Sequence, residues 1–404
     1  MKLAGTNQEL TRPFNRKVVL EAVRRHQPVS RAEVARLTGL TPPAVSKITA
    51  ELTEAGLLQS VGRRRTGRGQ PPLDLAVNPA GGFTLGMEVT PTALRGVLVD
   101  LKGDVRERGT IALHDPSPHA TIPVMAELAR TLIDRSGVQH HRVLGLGVVR
   151  PGAVIPSEAA FADPTILPGW DGPDPIKALA QRVGMPVTLD NDATAAAIGE
   201  QRYGVADALT DYVYLFIGEG LGAGIIVGGR PIKGASAMAG EIGHLPVIPG
   251  GRPCYCGNRG CLERYVSRHA LAEHLGLSSG RDLSLLDPTA PEISAWLDEA
   301  VGPLRTAITI VENLLDPQAV LIGGHLPPAM VAALIDRLHP LPPSLAARPD
   351  RSGPRVRRAT AGEDVSALGA ASLPLFESLS PAAPTAGDGL SARPLWGDAS
   401  TSAP

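Results

Sequence analysis

The sequence predicts an α/β protein in two unequal parts: an N-terminal winged helix-turn-helix and a larger α/β domain with a structural zinc site. Three observations predict it. Residues 1–72 hold 13 Lys/Arg against 5 Asp/Glu, although the 404-residue chain as a whole has a net charge of only −1. Three helical stretches and two short strands precede a turn-rich boundary, Asn78-Pro79-Ala80-Gly81-Gly82, after which strands and helices alternate. All three cysteines fall within eight residues, with a histidine nearby. A small basic module joined to a larger acidic one points to a polyanionic partner for the first part.

Residues 1–13 are polar and are expected to form a flexible N-terminus. Between Arg16 and Arg25, Val18, Val19, Leu20, Ala22 and Val23 supply the apolar face of a first helix. Ser30 and Glu33 make the Ser-x-x-Glu pattern of a capping box, so a second helix runs from Arg31 to Leu37. Thr41 is placed to cap a third helix with Pro42 at its first position. That helix, Pro42 to Ala55, gathers Val45, Ile48, Leu52 and Ala55 on one face. Thr41, Pro43, Ser46, Lys47 and Thr49 lie on the other. Leu57–Val61 and Leu73–Val77 are strands around an arginine- and glycine-rich loop, which makes a wing. The third helix is expected in the DNA major groove. Arg31, Thr41, Pro43, Ser46 and Lys47 are the candidate helix contacts. Arg63, Arg64, Arg65 and Arg68 are expected to reach phosphates or a narrow minor groove. A solvated loop is the plainer reading of an arginine run, but this one follows a helix-turn-helix directly. The DNA-binding domain spans 14–77.

Beyond the boundary, Phe83–Val89 and Leu94–Leu101 read as a strand pair. A helix (Pro123–Ser136), a strand (Val143–Val149), a helix (Pro175–Val183), a strand (Pro186–Leu189) and a helix (Ala193–Arg202) follow. Tyr212–Ile217 and Ala223–Val227 form a second strand pair. Later come a helix over Ala295–Leu315, a strand over Ala319–Ile322, a helix over Ala329–Leu338 and a last helix near Ala367–Leu375. Residues 379–404 are rich in Ser, Pro, Ala and Gly and are expected to be a disordered tail.

Cys254, Cys256 and Cys261 follow His244 in the stretch Gly240–Ser267. Three thiolates and an imidazole make a closed tetrahedral set for zinc, with no position left for water, so the ion is expected to be structural. Three buried thiols lying close together is the alternative, but chance scatters cysteines. A redox pair normally reads Cys-x-x-Cys.

Gly-Glu-Ile-Gly-His followed by Cys-x-Cys-Gly-x-x-Gly-Cys-x-Glu resembles the signature of the ROK family of repressors and sugar kinases. The resemblance extends from about Phe14 to about Ser378. It implies a two-lobed actin-like (ribonuclease H-like) ROK domain over 78–378, with lobes of about 82–195 and 196–378, and the twice-repeated strand pair is similar to that fold. It also implies sugar contacts at Asn191, Asp192, Glu241, His244 and Glu263. In the kinases the residue at Asp192 is the general base. Capping of the following helix is the simpler role for a carboxylate there. His244 is implied to place one ring nitrogen on zinc and turn the other to the sugar. The segment from Val149 to Trp170 resembles the part of the family fold that closes over the sugar. It departs from the pattern at Pro156 and at Pro164-Thr165-Ile166, where an aspartate and an asparagine are usual.

The kinase phosphate loop, Asp-x-Gly-Gly-Thr, is here Glu88-Val89-Thr90-Pro91-Thr92. Both glycines are gone, and Pro91 cannot donate an N–H. A second loop, Gly218-Glu219-Gly220-Leu221-Gly222-Ala223-Gly224, keeps its glycines, but Glu219 stands where kinases carry threonine and is expected to repel phosphate. The sequence therefore predicts a regulator, a repressor rather than an enzyme, that binds operator DNA and a sugar or sugar-derivative effector. A homodimer or homotetramer in the cytoplasm is expected, with no membrane partner. A sugar kinase with a DNA-binding domain and a ligand-independent DNA-binding scaffold are the alternatives.

Overall fold

The structure is a computed structural model that describes residues 8–63, 73–152, 167, 169–170, 174–277, 286–347 and 353–378. Its head begins with α1 (Gln8–His26), well before the apolar pattern starts. Residues 8–13 are thus helical instead of loose. β1 (Val29–Ser30) leads into α2 (Arg31–Thr38). The capping box is formed: Ser30 N donates to Glu33 at 2.8 Å and Glu33 N donates to Ser30 Oγ. Gly39, at φ 69°, ends the helix in the left-handed conformation that favours glycine.

α3 (Pro42–Glu54) buries Val45, Ile48, Thr49 and Leu52. Three expectations are corrected here. Thr41 stands at the N-cap but makes no side-chain capping bond. Thr49 is buried, not outward: it accepts from Arg31 Nε at 3.0 Å and ties α2 to α3. Ala55 lies exposed past the helix end. The wing strands β2 (Leu58–Arg63) and β3 (Leu73–Val77) pair antiparallel, with β1 on the other edge of β3. Arg64, Arg65 and Arg68 lie outside the described residues. The head core, with Val19, Val34, Leu52 and Leu75, also takes in Leu101, Leu144 and Leu375 from the larger domain. Head and domain thus share a packed seam.

The larger domain holds two five-stranded sheets. The first comprises β4 (Phe83–Val89), β5 (Ala93–Asp100), β6 (Val105–Ala112), β7 (Val143–Arg150) and β8 (Val187–Asn191), in the order β6-β5-β4-β7-β8. The second comprises β9 (Tyr212–Ile217), β10 (Leu221–Val227), β11 (Arg230–Pro231), β12 (Ala319–Gly324) and β13 (Val356–Arg358), in the order β11-β10-β9-β12-β13. In each sheet three antiparallel strands are followed by two parallel ones. The repeat is therefore one topology built twice, as the actin-like expectation requires. The alternating, charge-rich β6 gave no apolar run and was not foreseen.

α4 (Pro118–Ser136) and α5 (Asp174–Val183) cover the first sheet; α7 (Arg268–His274), α8 (Pro291–Leu315) and α9 (Pro328–Arg337) belong to the second half. Between the sheets lies α6 (Asp192–Tyr203), whose Ala193, Ala195, Ala196 and Ala197 are all buried. The expected last helix is two, α10 (Val365–Ala370) and α11 (Leu373–Ser378). They return to the first sheet, so the lobe boundary drawn by chain order does not hold for them. A Cβ on Gly147 of β7 would stand 1.9 Å from the Ala370 carbonyl oxygen. Among the described residues no helix is long and apolar enough to cross a membrane.

Candidate functional site

The site is assembled from strand ends and one irregular loop. β8 ends at Asn191, and α6 starts at the next residue, so Asn191 and Asp192 sit at the carboxyl end of a parallel strand, where ligands collect in open α/β sheets. Asn191 caps α6, its Oδ1 accepting from Thr194 N at 3.0 Å, and its Nδ2 donates to Gly152 O at 3.2 Å. Asp192 is buried, and its Oδ1 accepts from Ala193 N at 2.8 Å. Burial, then the charge of Glu88 and that of Glu241, raise its pKa to about 7 against the opposing Ala193 N–H and His325. Capping thus falls to Asn191, and Asp192 is poised to exchange a proton near neutrality.

The Glu-x-Gly-His stretch forms a 3-10 turn, Ile242–His244, laid on the first residue of β10. Gly243 is there because a Cβ would lie 2.2 Å from the Leu221 carbonyl oxygen. Gly240, at φ 101°, makes the entry, with Ala223 N donating to its carbonyl at 2.8 Å. Glu263 is buried and accepts from Leu221 N at 2.8 Å, so it fixes the same strand end from the other side. Glu241 lies near enough to Asp192 to raise its pKa.

One donor atom from each of His244, Cys254, Cys256 and Cys261 lies within 4.8 Å of the others, a cluster able to hold a metal ion. His244 Nδ1 is 3.5 Å from Cys254 Sγ, and Cys256 Sγ is 3.6 Å from Cys261 Sγ. Nδ1 therefore belongs to the cluster and Nε2 is left for another partner. The loop is set by backbone pairing: Cys254 N donates to Asn258 O and Leu262 N to Leu245 O. Gly260, at φ 76°, admits no side chain, since its Cβ would meet Ile248 O at 1.7 Å.

The stretch expected to stand in for the kinase phosphate loop is bonded within itself. Thr90 N donates to Ala93 O at 2.9 Å and Ala93 N to Thr90 Oγ1 at 3.0 Å, so donors that a phosphate would need are used within the β4–β5 turn. Glu88 is fully buried, 3.1 Å from His325 Nε2 and 3.3 Å from an Arg95 guanidinium nitrogen. Burial opposes its ionisation; His325 and then Arg95 outweigh that and hold its pKa below the ordinary value. Glu219, expected to repel phosphate, is paired with Arg268 at 3.0 Å, and Arg268 also donates to His325 O. Gly224 serves packing, because its Cβ would fall 2.4 Å from that of Ala197 in α6.

Sequence reasoning missed His325, Arg268 and Lys233, which bonds Asp190 at 2.7 Å. His325 alone left a signal, as the residue that follows Gly323-Gly324 at a strand end. Most of the segment from Val149 to Trp170 lies outside the described residues. Of its end, Trp170 is buried and donates from Nε1 to Pro116 O at 2.8 Å.

The family model described as "ROK family" matches residues 84–376. The chain belongs to the ROK family. A model described as "MarR family" matches residues 10–69, so this ROK protein carries a MarR-type winged-helix head. The xylose repressor of Bacillus spizizenii is 29% identical over 327 residues, covering 79% of this chain and 84% of that protein. Among solved structures, a ROK family transcriptional regulator, a homologue of E. coli MLC, aligns with TM-score 0.68 over 91% of this chain and 97% of its own, at 23% identity. A ROK family glucokinase from Streptomyces griseus, solved with glucose and AMPPNP, aligns with TM-score 0.57 over 72% of this chain and 99% of its own, at 25% identity.

Substitutions at the cluster and at the cleft test this geometry. Cys256→Ser removes one of four donors; elemental analysis is expected to find stoichiometric metal in the wild type and none in the purified variant, which is also expected to melt earlier. Asp192→Asn removes a group whose pKa is raised in the folded state. The wild type therefore loses stability as pH rises from about 4 to about 7, by up to about 4 kcal/mol, and the variant does not. Thermal melts of both proteins across that range are expected to diverge upward in favour of Asp192→Asn and run parallel above it.

Proposed function

We propose that this ROK protein is a sugar-responsive transcriptional repressor in the cytoplasm. The observation that carries the reading is a MarR-type winged helix joined to a ROK cleft in which the stretch expected to stand in for the kinase phosphate loop is bonded within itself, at the Thr90–Ala93 turn, and Glu88 is paired with His325. The head binds operator DNA through the exposed Thr41, Pro43, Ser46 and Lys47 at the start of α3 and through Arg31 of α2, with Arg63, Arg64, Arg65 and Arg68 from the arginine-rich stretch that joins β2 to β3 in sequence. Lys47 and the wing arginines supply affinity through phosphates. A two-fold operator needs two heads one helical turn apart, which makes the working form a homodimer or a homotetramer.

The cleft takes a sugar or sugar derivative. Asn191, Asp192, Glu241, Glu263 and the Nε2 of His244 offer carboxylates, an amide and a ring nitrogen for paired hydrogen bonds to hydroxyls. The ion held by His244 and the three cysteines is zinc. Zn–S bonds of about 2.3 Å and Zn–N bonds of about 2.0–2.1 Å give tetrahedral S–S edges of about 3.8 Å and N–S edges of about 3.6 Å. The separations of 3.6 Å and 3.5 Å match those edges. Zinc holds the His244 ring in place and takes no part in chemistry. The glucokinase likeness keeps phosphoryl transfer as the second reading, with Asp192 as its base.

Fluorescence anisotropy on DNA from the protein's own promoter region, with a panel of free and phosphorylated sugars, tests the proposal. Salt-sensitive binding relieved by a sugar is expected, and Lys47→Ala is expected to weaken it roughly 3- to 10-fold on every sequence. Binding indifferent to all sugars would remove the sensing role. ATP-dependent phosphorylation of any panel sugar would favour the second reading.

A further inference from the structure

Between β11 and the 3-10 turn Ile242–His244, residues 233–240 form a loop that leads straight into Glu241. Residues 232–236 are exposed, so burial does little to fix where this loop begins. Its two ends are held together instead. Ala239 N donates to Lys233 O at 3.0 Å, and a Cβ on Gly234 would lie 3.3 Å from that of Ala239. Ala237 sits at φ 57°, in the left-handed region that a residue with a Cβ keeps only where its surroundings hold it. Lys233 is therefore the foot of a closed loop, and its anchorage carries over to Ala239 and, two residues on, to Glu241.

The anchor lies on the first sheet. Lys233 Nζ donates to Asp190 Oδ2 at 2.7 Å, and Asp190 Oδ1 accepts from Asn191 N at 2.9 Å. One buried carboxylate thus gives one oxygen to each half of the domain. Side chains alternate along β8, so Asp190 leaves the strand on the face opposite Asn191. Asn191 turns to Gly152, and Asp190 turns to Lys233. Lys233 therefore reaches the Asn191–Asp192 step through Asp190. A bond between ionised partners is about twice as strong as a neutral one. The Lys233 side chain is 51% exposed, which leaves this bond open to screening by salt.

We propose that Lys233 is a positioning residue: through Asp190 it clamps the loop that carries Glu241 to the strand end that carries Asn191 and Asp192, and so sets the spacing between the two halves of the candidate sugar site. This rests on the reading of those residues as one site.

Hydrogen–deuterium exchange of the full-length protein without ligand, followed by mass spectrometry, tests this. Peptides covering 187–194 and 232–244 are expected to exchange faster together in Lys233→Met, by about threefold or more, and to return towards the wild-type rate in Lys233→Arg. Raising chloride from about 0.05 M to about 1 M is expected to speed the same peptides in the wild type and to leave Lys233→Met unchanged, which lost packing alone would not produce. Asp190→Asn keeps an acceptor for Asn191 N and removes the charge. It is expected to loosen both segments as well, which keeps the test decisive should Lys233→Met fail to fold. Exchange that is unchanged in the variants, faster in only one of the two segments, not restored by arginine, or indifferent to salt in the wild type overturns the proposal. No sugar enters the measurement, so its failure is distinct from failure of the sugar reading, which falls if no panel sugar relieves operator binding.

Discussion

The rest of the structure depends on how closely α6 is packed. On one side Gly224 of β10 lies against it; on another, a Cβ on Gly369 of α10 would stand 1.8 Å from the Ala195 carbonyl oxygen, and one on Gly199 would stand 2.3 Å from that of Val365. Backbones this close leave no slack for side chains to absorb a shift. At the C-terminal half of the helix the buried Glu200 accepts from Val205 N, Thr360 N and Ala361 N. The helix is therefore a stiff member between two functional ends. Its first residues face the candidate sugar cleft, and its last turn lines a cavity that α1 of the head also lines. Interfaces of this kind move in discrete steps, which is how a small displacement at a ligand reaches a distant surface.

Polar pairs join the two halves beside it. Glu88 on the first sheet meets His325 on the second, and Asp190 meets Lys233. Glu88 also meets Arg95 of the neighbouring strand. A buried carboxylate without such partners would cost several kcal/mol. These contacts tie the first sheet to the second half of the domain, and Asp192 lies beside them.

Much of this was legible in sequence because the signals are local. The capping box at Ser30, the zinc-type spacing around Cys254 and the strand–helix step at Asn191 each lie within a few residues. The duplicated topology showed through repeated strand pairs. What was not legible depends on distant partners. Thr49 reads as a surface residue until Arg31 is placed over it. β6 lacks an apolar run because only alternate residues touch the domain. His325 and Arg268 carry no motif, and their contacts come from residues far away in the chain. The return of α10 and α11 to the first sheet is likewise a long-range pairing that no local pattern announces.

Coupling between the cleft and the head is the central claim, and linkage makes it measurable from either end. The decisive measurement is the calorimetric affinity of the active sugar for the free protein and for the protein saturated with operator DNA. The account predicts weaker sugar binding in the complex, by the same factor by which the sugar weakens operator binding. Equal sugar affinities in the two states would contradict it, whatever the sugar and the DNA each do alone.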